Sequence, residues 1–247
     1  MEDVIHAHVA SRTKLWKIET GRSTVKTGDV LALTRIYGTP PGQVEQLLVL
    51  AEATRSTGYT EDHGDAVIQS LGLYSELEAS AATISAYSSE LLHGLLQTTD
   101  YARAVMEADR SLSPKVVDQR VSFRMERQRR FFEHPTSGRL DVIVTAGVMN
   151  LLVGSPPVME EQIAHLRAVD RKGAARIGVL PAANGVHMAM YGPFVILDFD
   201  DADDPDVAYV ENLIGSRYIE KPREVSLFRH AFDEMQRQVL PLEEWLE

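Results

Sequence analysis

Before Leu140 every periodic segment of this 247-residue chain reads as a helix, and the strand signals come late. Helices dominate and the strands cluster late, which predicts an α+β fold. The N-terminal helices are expected at residues 2–10, 11–21, 29–37 and 43–54. Ser11 suits an N-cap and Gly21 a C-terminal stop, while Leu15 and Ile18 are spaced to face a core beside Trp16. The 38–42 run Gly-Thr-Pro-Pro-Gly ends the third helix, and Val44, Leu47, Leu48 and Ala51 give the fourth its apolar stripe. Residues 56–65 are polar and rich in turn formers, so they read as a linker. The expected organisation is a small all-helical domain at 1–55, that linker, and a mainly helical α+β domain with a small late sheet at 66–247.

Within the second domain, residues 66–89 are expected to be helical, with Leu73, Leu77, Ile84 and Tyr87 in the core. Thr98-Thr-Asp100 caps a helix over 101–109, and Ser113-Pro114 starts a long one to about Phe132. Residues 140–145 read as a strand, 157–172 as an amphipathic helix through Met159, Ile163 and Leu166, and 176–180 as a buried strand. Residues 186–191 and 194–199 suggest a hairpin about Gly192-Pro193. A further strand is expected at 207–210 and a closing helix at 226–240.

Composition removes several function classes. The chain has no cysteine, which excludes disulfides, thiolate zinc sites and cysteine nucleophiles. No apolar run approaches a membrane span and Met1-Glu-Asp-Val is not a signal peptide, so a cytoplasmic location is the expectation. A net charge of −11 argues against indiscriminate coating of nucleic acid. The charge is uneven, however. Arg12, Lys14, Lys17, Arg22 and Lys26 oppose the single acid Glu19 within residues 11–26. That helix offers Arg12, Thr13, Lys14 and Lys17 to base edges, with Arg22 and Lys26 toward phosphates. The same face also fits a solvated basic surface. Between Asp198 and Glu211 seven acids occur with no base. The run lacks the glycine and glutamate spacing of a calcium loop and reads as a solvated connection.

No catalytic signature is present: no Gly-x-Ser-x-Gly, phosphate loop, dinucleotide fingerprint or His-Glu-x-x-His. No cofactor and no metal is expected. His6 and His8, two apart, point to different sides of a helix. Were the protein an enzyme, Glu90 and His93 at i,i+3 would be one weak acid/base pair. His187 and Tyr191, aligned with Ala189 on one face of the expected hairpin, would be another, with core packing as the plainer reading. Arg120, Arg124 and Arg127 share a helix face and, with Arg129 and Arg130, suggest a basic patch: an anion contact, a partner surface or a solvated face.

Ser11-x-x-x-Leu15-x-x-Ile18-Glu19-x-Gly21, followed by Asp29-Val-x-Ala-Leu33 and Tyr37-Gly38, resembles the lambda-repressor-like, xenobiotic-response-element type of helix-turn-helix regulator. The run Leu95-Leu-Gln-Thr-Thr-Asp-Tyr-Ala-Arg103 resembles the uncharacterised domain that follows such a DNA-binding domain in antitoxin-like actinobacterial regulators. Arg124-x-x-Arg127-Gln128, Val158-Met-x-x-Gln162-x-x-x-Leu166, Val179-Leu-Pro181, Gly192-x-Phe194 and Tyr209-Val-Glu211 continue the likeness. The resemblance implies a transcriptional regulator of the antitoxin-like kind, often encoded beside a small partner protein, and no known ligand. The expected function is a DNA-binding regulator that meets a two-fold site as a homodimer, with a second domain that senses a small molecule or holds a partner. Several positions depart from the pattern. The first helix of the DNA-binding domain is missing ahead of Met1. Ile5 and His8 replace a small alanine and a leucine. Leu92-His93-Gly94 replaces Val-Pro-Gly, and Ala146 replaces a glutamate. These departures support a different reading, a scaffold that has lost DNA binding. It would bind or transform a small molecule in secondary-metabolite biosynthesis, with cyclase-like catalysis by a shaped pocket, or would sequester a partner.

Overall fold

The computed structural model describes residues 18, 25–53, 74–75, 77–133, 138–200, 205–213 and 215–247. The chain divides into two compact units, Met1–Tyr74 and Ser75–Glu247. The 56–65 stretch read as a linker lies outside the described residues.

In the first unit, helix α1 (Thr27–Tyr37) packs on α2 (Pro41–Ala53). Val30, Leu33 and Thr34 form the buried stripe of α1, and the Thr34 hydroxyl donates to the Val30 carbonyl at 2.8 Å. Gly38 ends the helix in the left-handed region at φ 67°, a conformation a side chain resists, and Thr39 N–H bonds the Thr34 carbonyl at 2.9 Å. Pro41 then opens α2 at a position where no N–H is needed.

The second unit is α+β, built on a seven-stranded mixed sheet ordered β6-β5-β4-β1-β2-β3-β7. The strands are β1 (Thr83–Ser88), β2 (Arg139–Thr145), β3 (Arg176–Leu180), β4 (Phe194–Asp198), β5 (Val207–Asn212), β6 (Gly215–Ile219) and β7 (Leu240–Pro241). The first three run parallel, and every other pairing is antiparallel. A 3-10 turn (Gly94–Leu96), α3 (Thr99–Glu107) and α4 (Pro114–Glu133) connect β1 to β2. Helices α5 (Ala146–Asn150) and α6 (Pro156–Arg171) connect β2 to β3. Helices α7 (Pro222–Gln236) and α8 (Leu242–Leu246) flank β7. Tyr87, Ile143, Phe194, Ile196 and Ala208 present one sheet face to Val225, Ala231, Phe232 and Met235 of α7. Strand alternation sends Ile84, Ala86, Val142 and Val144 to the opposite face.

Three expectations are corrected. Residues 83–88 form β1, the strand at the middle of the sheet, and not the end of a helix. β1 is covered on both faces and paired on both edges, so Ile84, Ala86 and Tyr87 are all buried. A strand of that kind shows no period of two, and an apolar run alone does not separate it from a buried helix. Residues 186–191 form no strand, so the hairpin about Gly192-Pro193 is absent: both edges of β4 are occupied, by β1 and β5. The closing helix stops at Gln236, and the chain turns so that Leu240 and Pro241 pair with Val179 and Gly178. Gly178 has no room for a side chain, since a Cβ there would lie 2.6 Å from Val239 Cγ2.

Candidate functional site

The connection after β1 is held by side chains from three helices. Gln97 Nε2 donates to the Leu92 carbonyl at 2.7 Å, and Leu92 N–H donates to the Tyr101 hydroxyl at 3.3 Å. Gln128, on α4, donates to the carbonyls of Gly94 and Gln97 at 2.7 and 2.8 Å. Gln162, on α6 and wholly buried, donates to the Leu96 carbonyl and accepts from Thr98 N–H, both at 2.7 Å. Arg124 donates to Gln97 Oε1. Thr98 caps α3 by accepting from Tyr101 N–H. Leu95 and Leu96 are fully buried. Buried peptide groups without partners are costly, and this segment forms no sheet ladder, so amide side chains do the bonding that a ladder would do. The Leu-Leu-Gln-Thr motif and the Arg-x-x-Arg-Gln motif thus meet in space as one clamp.

Beside the clamp lies a buried charge cluster. Arg127 Nε is 2.7 Å from Glu78 Oε1, with only 8% and 1% of the two side chains exposed. Gly94 allows this packing, since a Cβ there would sit 2.7 Å from Arg127 Nη2. Burial, and then the charge of Arg127, pushes the Arg124 guanidinium down to about 10. Burial first, then Arg127 and Arg124, pushes His93 down to about 3. His93 is therefore neutral at physiological pH, and its Nδ1 accepts from Leu95 N–H at 3.4 Å.

The unfolded chain takes up a proton near the ordinary value of 6.5, and the folded chain does not until about 3. The stability held by neutral His93 is complete above 6.5 and is lost as pH falls toward 3. At pH 5 the loss relative to pH 7.5 is about 2 kcal/mol. His93→Asn keeps an acceptor and removes the proton site. Its melting temperature is expected to fall less between pH 7.5 and pH 5 than that of the wild type. Parallel curves would contradict a neutral buried imidazole.

The other candidate residues are scattered. Residues 89–93 are not helical, so Glu90 and His93 do not share a helix face. Glu90 is exposed and accepts from Ser89 Oγ at 2.5 Å. His187 and Ala189 turn inward, His187 Nε2 lying 3.5 Å from the Tyr87 hydroxyl with the rings edge to face. Tyr191 is fully exposed, so the expected common face of His187 and Tyr191 does not form. The arginines of α4 make no uniform basic patch: Arg127 is buried on Glu78, Arg124 bonds Gln97, and Arg129 pairs with Glu126 and Glu133 at 2.6 and 2.9 Å. Ala146 is buried at the start of α5. The acidic run is not simply a solvated loop, since Asp198 and Asp206 bind Arg229 at 2.5 and 2.9 Å. Among the described residues, no group of three or more His, Asp or Glu is placed to hold a metal. A shallow, open groove of about 550 Å³ lies along α6, lined by Met149, Met159, Glu160, Ile163, Arg167 and Arg171.

Of the DNA-facing candidates, Arg12, Thr13, Lys14, Lys17 and Arg22 lie outside the described residues, as do Ile5 and His8. Lys26 is exposed at the N-cap position of α1. Residues 4–47 match a helix-turn-helix domain, which supports a DNA-binding regulator. Residues 71–245 match a domain of unknown function, DUF5753. The chain belongs to the DUF5753 family. No curated protein matches it. Among the described residues, no helix is long and apolar enough to cross a membrane.

Proposed function

We propose that the chain is a sequence-specific transcriptional regulator whose helix-turn-helix domain reads a two-fold DNA site as a homodimer. The observation that carries this reading is the helix-turn-helix match over residues 4–47. The local excess of cations at 11–26 in a chain of net charge −11 agrees with it. Arg12, Thr13, Lys14 and Lys17 would meet base edges, while Arg22 and Lys26 would meet phosphates. The Ser75–Glu247 unit is the proposed sensing part, with the groove along α6, where Met159 and Ile163 lie beside Glu160 and Arg167, as the place for a small molecule.

Fluorescence anisotropy with the gene's upstream duplex against scrambled duplex, at two salt concentrations, tests the reading. Tight sequence-dependent binding is expected. Arg12→Ala with Lys14→Ala should cost about 1–3 kcal/mol on the specific duplex, and Lys26→Ala should lower the salt slope by about one. Equal affinity for both duplexes would overturn the reading and favour the repurposed scaffold, in which the second unit binds or transforms a small molecule.

A further inference from the structure

Strands β1, β2 and β3 are parallel, so their C-terminal ends lie along one end of the sheet. The 181–193 connection joins β3 to β4, which are separated in the sheet by β2 and β1. It therefore crosses that end as a strap. Inward, Ala189 joins the core and His187 rests on Tyr87. Outward, Val186 is 89% exposed, Met188 47%, Met190 59% and Tyr191 100%. At the same end, the loop after α5 exposes Leu151 and Leu152. Of the other exposed large apolar residues described in this unit, Leu91 follows β1 at this same end, while Phe123 lies on α4, Leu213 in the turn after β5 and Leu227 on α7.

The two segments that carry these six side chains hold no charge, while Glu90, exposed just past β1, lies at the same end. No Asp, Glu, Lys or Arg occurs between Asp141 and Glu160, nor between Arg176 and Asp198, in a chain that is 25% charged. Depletion of charge with enrichment of Met and aromatic residues is the composition of an interface core.

We propose that this end of the sheet is the contact through which two copies of the chain pair. Weighted by their exposures, the six outward side chains present roughly 700 Å², close to the per-partner area of a standard interface. Two copies of net charge −11 repel, and a contact centred on the strap and the loop after α5 sets segments without carboxylates face to face. A two-fold contact must also be self-complementary, which apolar segments without charge satisfy against themselves. The choice of a second copy rests in part on the two-fold regulatory reading above, but its test uses no DNA, so the two can fail separately.

Sedimentation of the full chain at micromolar concentration is expected to give a dimer. Leu152→Glu with Met190→Glu, both at exposed positions, should weaken dimerisation ~100-fold or more by setting like charges face to face, with circular dichroism and melting of the monomer unchanged. Leu227→Glu, on α7, should leave the dimer intact. Because the chain has no cysteine, Met190→Cys and Leu227→Cys each give a single thiol. A bismaleimide should link copies at position 190 and not at 227, a readout that stands even where the double glutamate variant folds poorly. A monomeric wild type, a dimer that survives the double variant, or linking that is no better at 190 than at 227 overturns the proposal.

Discussion

Glu78→Ala is expected to destabilise the Ser75–Glu247 unit by about 3–5 kcal/mol, because it leaves the Arg127 guanidinium buried without its carboxylate. With so little of either side chain exposed, solvent screening offers scant relief. Burial and then the charge of Arg127 lower the proton affinity of Arg124, and Glu78 opposes that shift, so removing Glu78 also leaves the repulsion between the two guanidiniums less compensated. For a unit of this size the melting temperature should drop by about 10 °C. Calorimetry of Glu78→Ala, Arg127→Met and the double variant Glu78→Met/Arg127→Met checks the cause. The double variant should recover much of the loss, since replacing both members of a buried pair by apolar groups is far milder than orphaning one. A single-variant loss below about 1 kcal/mol would mean that the pair behaves like a surface ion pair.

Gln162→Leu should cost about 2–5 kcal/mol, since it removes the partners of both Thr98 N–H and the Leu96 carbonyl inside a sealed environment. Shape is nearly preserved, so little of that loss is packing. Gln162→Glu separates the two bonds. It retains an acceptor for Thr98 N–H but sets a carboxylate oxygen against the Leu96 carbonyl. Protonation supplies the missing donor, so the Glu variant is expected to gain stability relative to wild type as pH is lowered. Hydrogen exchange at the Thr98 amide should accelerate in the Leu variant and much less in the Glu variant. Equal exchange in both would show that the segment is held by Gln128 and Gln97 instead.

Local signals carried much of the helical reading. The Ser113-Pro114 start, the Thr98 cap and the Gly38 stop each depend on one residue's own chemistry, and each appears where its neighbours alone would place it. The failures share a different cause. β1 lost its alternation because partners on both edges and layers on both faces bury every apolar residue in it. β7 was invisible because two residues, one of them proline, hold no period. β6, with Ser216, Arg217 and Tyr218 interleaved, looks like a polar loop until β5 pairs with it. The clamp was half legible: the Leu-Leu-Gln-Thr and Arg-x-x-Arg-Gln runs stood out, but nothing in their spacing says that Gln128 reaches Gly94. Glu78 gave no signal at all. An acid in an apparently amphipathic helix looks solvated, and only the folded chain brings it to Arg127. The 186–190 stretch does alternate in and out, yet it has no ladder, so its pattern reports a strap lying over a core and not a strand.

β7 has a consequence for the behaviour of the chain in solution. Without Leu240 and Pro241, β3 would be an edge strand, offering Ile177, Val179 and Leu180 and unpaired peptide groups to any other chain. Such an edge templates strand addition and, from there, aggregation. Pro241 lacks an N–H and shortens the ladder that a further strand could continue. Residues 240–247 thus serve as a stopper, and trimming them would turn a covered edge into a seed for precipitation.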